Sequence, residues 1–220
     1  MRTQFDEQLR QLNIELIRMG SMCEEAISVV AKFLEGDSKA PIERVFSLEH
    51  EIDQLEHDIE SRCMRMLLQQ QPVAKDLRVI SAALKMISDM ERIGDQAADV
   101  AELSGYVGEV VARGKLHITK MARAAVSMVT ESIDAFVRAD MTLAEKVIAD
   151  DDSVDELFTQ IRGELIQALK EETERPDAIL DLLMIAKYFE RIGDHAVNLA
   201  EWVEYSITGI HKSSEHHQEI

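Results

Sequence analysis

ERIGDQAADVAE runs from Glu91 to Glu102, and ERIGDHAVNLAE runs from Glu190 to Glu201. Eight of the twelve positions are identical. Each copy holds a glutamate and an aspartate four residues apart, Glu91 with Asp95 and Glu190 with Asp194, with a glycine between them. Two other pieces recur in the same order. FLEGD (33–37) returns as FVRAD (136–140), and EHEIDQL (49–55) returns as DDSVDEL (151–157). The offsets are 99, 103 and 102 residues, a drift of the size that altered turn lengths produce. The chain therefore reads as two copies of a unit of roughly 100 residues.

Each unit reads as three helices. Apolar residues recur at three- and four-residue spacing almost throughout. Only 3 prolines and 9 glycines interrupt 220 residues, so few turns are available. The spacing predicts helices from about Phe5 to Leu34, on to Gln70, and through Leu77, Ile80, Leu84 and Ile87 to a stop near SGYVGE (104–109). In the second unit it predicts helices from Leu116 to Val137, Leu143 to Lys170 and Asp177 to Tyr205. Gly36, Pro41, Pro72 and Pro176 mark the breaks. Helices of about 30 residues are about 45 Å long and, joined by short connections, belong in antiparallel bundles. The expected fold is all-α: two tandem, pseudo-symmetric three-helix bundles, spectrin-repeat-like. They cover residues 1–110 and 111–210, and a polar tail follows at 211–220.

Charge narrows the partners. The chain has 24 Lys plus Arg against 42 Asp plus Glu, a formal net charge of −18. Such a surface repels nucleic-acid phosphates and anionic lipids, and favours cations or basic protein surfaces. The N-terminus lacks an apolar leader segment, and no uncharged apolar run approaches the ~20 residues of a membrane span. A cytoplasmic location is expected, with membranes reached only through partners. Cys23 and Cys63 lack metal or disulfide spacing and read as free thiols. Phosphate-binding loops, nucleophile elbows and the Glu-x-x-His of di-iron bundles do not occur, so no enzyme activity is expected.

The acids themselves carry the chemistry. At about 100° per residue, Glu91 and Asp95 fall on the shoulder of an apolar face, with Arg92, Gln96 and Lys85 further round toward solvent. Glu190 and Asp194 repeat this, with Arg191 and His195 outside the stripe. The preceding helix of each unit adds another acidic pair, Glu49 with Asp53 and Asp151 with Asp155. Asp99 and Asn198 follow one turn later as second-rank oxygen donors. Carboxylates at i and i+4 repel, and half-burying them costs more unless something neutralises them. Four or five oxygens converging between neighbouring helices would suit hard cations, or iron or manganese with bridging waters. Solvated acids, paired with nearby arginines, are the alternative reading. Gly94 and Gly193 each cost ~1 kcal/mol in a helix interior, which implies close approach of a neighbouring helix or of a bound group.

With these motifs in view, the chain resembles the PhoU family over about residues 5–207. The matching stretches are both ERIGD copies, QPVAKDLR (71–78) and EIDQLE (51–56). The resemblance implies a non-enzymatic, negative regulator of phosphate uptake and of the phosphate-starvation (Pho regulon) response. It implies an adaptor between the ATPase subunit of the phosphate ABC transporter (PstB-like) and the phosphate sensor histidine kinase (PhoR-like), often as a homodimer. It also implies that multinuclear iron or zinc clusters can sit on Glu91, Asp95, Glu190, Asp194, Glu49, Asp53, Asp151 and Asp155, with Asp99 and Asn198 in support. A metal-binding or storage bundle, or a metalloenzyme, without a signalling role remains the alternative.

Overall fold

The computed structural model describes residues 2–37, 39–70, 72–113, 117–171 and 175–210. Among these residues there are six helices: α1 (Arg2–Leu34), α2 (Glu43–Gln70), α3 (Ala74–Arg113), α4 (Ile118–Arg138), α5 (Met141–Lys170) and α6 (Pro176–Thr208). No strand occurs among the described residues. The expected tail (211–220) and the expected start at Leu116 lie outside the described residues.

The first turn in each repeat is built alike. After α1, the Gly36 amide donates to Phe33 O (3.0 Å) and the Asp37 amide to Lys32 O (3.1 Å). After α4, the Ala139 amide donates to Phe136 O (3.1 Å) and the Asp140 amide to Ala135 O (2.9 Å). Both are left-handed helix stops of the Schellman type, and FLEGD and FVRAD place Gly36 and Ala139 at the same point of each. Gly36 takes φ +94° freely; Ala139 takes φ 50° with a Cβ in the way. Asp140 then caps α5 at once, its carboxylate accepting from the Leu143 amide at 3.1 Å. In the first repeat, Asp37 instead accepts from the Lys39 amide, and α2 starts only after Pro41.

The helices pack as two three-helix units, α1–α2–α3 and α4–α5–α6, joined along α3·α6 and α1·α4. The central pair is antiparallel. Arg78 at the start of α3 lies against Gly209 at the end of α6, and Arg175 before α6 donates to Tyr106 O at 3.1 Å. The α1·α4 crossing is close because Gly20 admits Ile133; a Cβ on Gly20 would stand 2.1 Å from Ile133 Cδ1. One continuous apolar core results, with Leu12, Leu16, Met86, Ile93, Ile185 and Phe189 all shut from water.

Two expectations are corrected. Helix α3 does not stop near SGYVGE but runs to Arg113. Gly105 sits inside it with open space around, and an isolated glycine weakens a helix without ending it. At 40 residues, α3 is about 60 Å long. The second correction concerns Gln96 and His195, expected toward solvent. Gln96 is buried and the His195 side chain is only 16% exposed. Both central helices are covered on two sides, by their own unit and by each other, so the side opposite the first apolar stripe is not solvent.

Candidate functional site

The repeated motif sits where each central helix meets the second helix of its unit. The motif glycines make that meeting possible. A Cβ on Gly94 would come 3.1 Å from Ile52 Cδ1 on α2. On Gly193 it would come 3.4 Å from both Asp151 Oδ1 and Val154 Cγ1 on α5. The close approach expected from the two glycines is thus by the neighbouring helix, and in the second repeat also by one of its acids.

In the first repeat, Glu91 and Asp95 are half-buried on α3. Loss of water pushes the Glu91 carboxyl above its ordinary range, and Asp95, Glu56 and Asp53 push it further, against the opposing pull of Arg92. Arg92 lies outside, with Nη1 3.2 Å from Asp95 Oδ2 and Nε 3.5 Å from Glu91 Oε2. On α2, ligand atoms of Asp53, Glu56 and His57 lie within 4.8 Å of one another. Ser88 of α3 donates its hydroxyl to Glu56 Oε1 at 3.2 Å. Glu49, half-buried one turn before Asp53, does not join this group.

In the second repeat all four expected acids act on one another. Burial lifts the Asp151 carboxyl to about 6, with Asp155, Asp194, Asp152 and Glu190 adding to the rise. Asp194 is raised by burial and by Glu190, with Lys187 opposing and Asp155 adding. Asp155 is raised by burial and by Glu190, again with Lys187 opposing. The Lys187 ammonium forms an ion pair with Glu190 Oε2, off the hydrogen-bonding direction, and stands 5.5 Å from the centroid of the Phe158 ring.

The second-rank residues turn to the α3·α6 seam. Asn198 donates from Nδ2 to Asp89 Oδ1 at 3.0 Å, and His195 Nδ1 meets the same oxygen at 2.9 Å. Asp99 is raised by burial, then by Asp95 and Glu102, with Arg191 of α6 pulling the other way. Asn198 is thus committed to the seam, whereas Asp99 feels the charges of Asp95 on its own helix and of Arg191 on α6.

Chemically, the first face brings two carboxylates, Asp53 and Glu56, and the exposed imidazole of His57 together on α2, with Glu91 and Asp95 on the facing helix outside that group. The second offers carboxylates with a lysine already among them. Sequence reading missed Glu56, His57 and Lys187. Glu56 and His57 lie three and four residues past Asp53, on the same helical face, which is the signal that could have found them. Lys187 precedes Glu190 by three.

A family profile described as "PhoU domain" matches residues 16–104 and again 118–203. The chain is 35% identical to the phosphate-specific transport system accessory protein PhoU homolog of Clostridium acetobutylicum, covering 93% of this chain and 94% of that one. It is 32% identical to the Pseudomonas aeruginosa protein of the same description, covering 94% and 86%. Among solved structures, PhoU from Pseudomonas aeruginosa superposes with a TM-score of 0.84 at 31% identity, covering 94% of this chain and 100% of that one. The phosphate transport system regulatory protein PhoU from Streptococcus pneumoniae gives a TM-score of 0.86 at 25% identity, covering 95% and 99%.

Proposed function

The chain belongs to the PhoU family, and from that premise we propose that it is a non-enzymatic negative regulator of phosphate uptake and of the phosphate-starvation response. In this reading it acts in the cytoplasm, as a homodimer, as an adaptor between the phosphate transporter's ATPase subunit and a phosphate-sensing histidine kinase. The observation that carries the reading is the extent of the likeness. It spans both repeats and nearly all of relatives described as accessory or regulatory proteins of phosphate transport. The chemistry is compatible with binding rather than turnover. Both thiols are buried and pushed up to about 12, so neither supplies a thiolate at neutral pH. Among the described residues, no helix is long and apolar enough to cross a membrane. A strongly acidic surface favours basic patches on partner proteins.

Metal binding on the acidic faces is part of the proposal. The carboxyls of Glu91, Asp151, Asp155 and Asp194 are raised by loss of water and then by neighbouring acids, although Asp155 and Asp194 are exposed, and a bound iron, zinc or manganese ion would relieve that cost. Glu91, Asp95 and Asp53 with Glu56 and His57 would hold it in the first repeat, with Asp99 beside Asp95 in support; Glu49 stands outside that group. In the second repeat the available donors are Glu190, Asp194, Asp151 and Asp155.

Co-purification tests the adaptor. The tagged chain should retain the transporter ATPase and the kinase from cells of its source, and its deletion should switch on a phosphate-starvation reporter at high phosphate. Retention of neither protein, with the reporter unchanged, overturns the adaptor reading and leaves the metal-storage alternative.

A further inference from the structure

In each unit the second helix turns into the third at a corner, and the two corners are alike in apolar exposure but opposite in charge. Under the spacings of the repeat, 102 residues for α2 and α5 and 99 for α3 and α6, residues 62–85 match residues 164–184. These two stretches hold eight of the fourteen large apolar side chains that stand exposed among the described residues. At the first corner they are Met64, Leu68, Val73 and Leu77. At the second they are Ile166, Leu169, Leu180 and Met184. Single exposed apolar residues are ordinary, but their collection in two places marks surfaces that meet something.

Residues 62–85 carry Arg62, Arg65, Lys75, Arg78 and Lys85 against Asp76 alone, a net +4 within a chain of −18. Residues 164–184 carry six acids against Lys170 and Arg175, a net −4. Arg62 is tied to Glu15 of α1 by two bonds, at 2.6 and 2.7 Å. Among the described residues, Arg65, Lys75, Arg78 and Lys85 make no ion pair, and Arg78 keeps a buried Nε without a partner. The first corner is thus an island of apolar side chains and unspent positive charge.

The corners lie at opposite ends of the molecule, because α3 and α6 run antiparallel. Arg78 near the start of α3 lies beside Gly209 after α6, and Arg175 before α6 reaches Tyr106 late in α3. A second copy laid alongside in the opposite sense puts its acidic corner on the basic corner of the first, and its basic corner on the acidic one. Both contacts form together, and the pair closes on a two-fold axis.

We infer that the chain pairs with a second copy of itself through these corners, the basic α2–α3 corner of each seated on the acidic α5–α6 corner of the other. This rests on the homodimer of the reading above and assigns its surface. Two chains of −18 repel over most of their surfaces, whereas here opposite charges meet twice while apolar side chains leave water.

Sedimentation velocity of the full chain, with metal chelated, tests the inference. Wild type should be a dimer. Arg65→Glu/Lys75→Glu should weaken pairing by about tenfold or more, and so should Glu171→Lys/Asp181→Lys, since each variant alters one side of both contacts. Arg65, Lys75 and Glu171 are exposed and Asp181 is half-buried, so circular dichroism should show both variants folded. Mixing the two variants in equal amounts should restore a dimer, because one contact of the mixed pair then joins two native corners. A wild-type dimer that survives both sets of changes, or variants that stay apart when mixed, overturns this inference and leaves the homodimer reading standing. Open polymers in place of a dimer overturn the closed pair. A wild type that stays monomeric at every concentration overturns the inference and the homodimer together.

Discussion

Replacing Asp151 with asparagine should make the protein more stable, and only above a definite pH. The carboxyl rises from the ordinary aspartate value of 3.8 to about 6 on folding. Below 3.8 it is protonated in both folded and unfolded chains and costs nothing. As pH rises through 3.8 toward 6, the unfolded chain releases its proton first, and stability falls. Above about 6 the folded chain carries the full cost of the carboxylate. A displacement of about two pH units at 1.36 kcal/mol each gives about 3 kcal/mol. Asp151 keeps partial contact with water, which reduces this to about 1–2 kcal/mol. Asparagine has nearly the same shape and no charge, so Asp151→Asn should raise the midpoint of thermal unfolding at pH 8 by about 2–8 °C for a chain of this size. At pH 4 the two proteins should melt almost together. Circular dichroism melts at pH 4, 6 and 8, with the metal chelated, supply the measurement. A variant that is no more stable at pH 8, or equally stabilised at pH 4 and pH 8, refutes the account of a carboxylate paying for its surroundings.

Three other outcomes follow from particular residues. Ala139→Gly relieves a left-handed alanine and should stabilise by about 0.5–1 kcal/mol, while Gly36→Ala should destabilise by about 1 kcal/mol or more; urea unfolding reads both, and equal signs would refute the matched-turn argument. Gly94→Val should cost about 2 kcal/mol by driving α2 outward through Ile52, and Ile52→Ala in the same chain should recover part of that loss; additive losses in a double-mutant cycle would count against the contact. Cys23 and Cys63 should react with a thiol reagent at pH 8 only as fast as the chain opens, and should both react at once in denaturing urea; rapid labelling of the native protein would contradict their burial.

Much of this was legible in the sequence because it depends on local order. The repeat and the six helices follow from spacing alone, and Asp151, Asp155 and Asp194 each have their carboxyls raised by burial and by acids of the same set. The misplaced residues share one cause. A helical projection locates a side chain relative to one apolar stripe, but α3 and α6 have neighbours on two sides, so Gln96 and His195, which project away from that stripe, are covered by the facing helix. The overrun of α3 past Gly105 shows that glycine weakens a helix without locating its end. Glu56, His57 and Lys187 escaped because the repeats were matched at their identical letters. What distinguishes the two faces lies where the letters differ.

The seam between α3 and α6 has a consequence for how such a chain could arise. A chain holding one repeat would leave the outer side of its central helix bare, and would need a second copy to cover it. Joining both copies in one polypeptide fixes the effective concentration of that partner, so pairing no longer depends on how much protein the cell makes. It also frees the halves from identity. A self-associating single repeat must place every residue on both sides of its own interface. The joined chain can set His195 and Asn198 against Asp89 on one side of the seam, and Gln96 and Asp99 at their matched positions on the other. Fusion turned a symmetric contact into two separately adjustable ones.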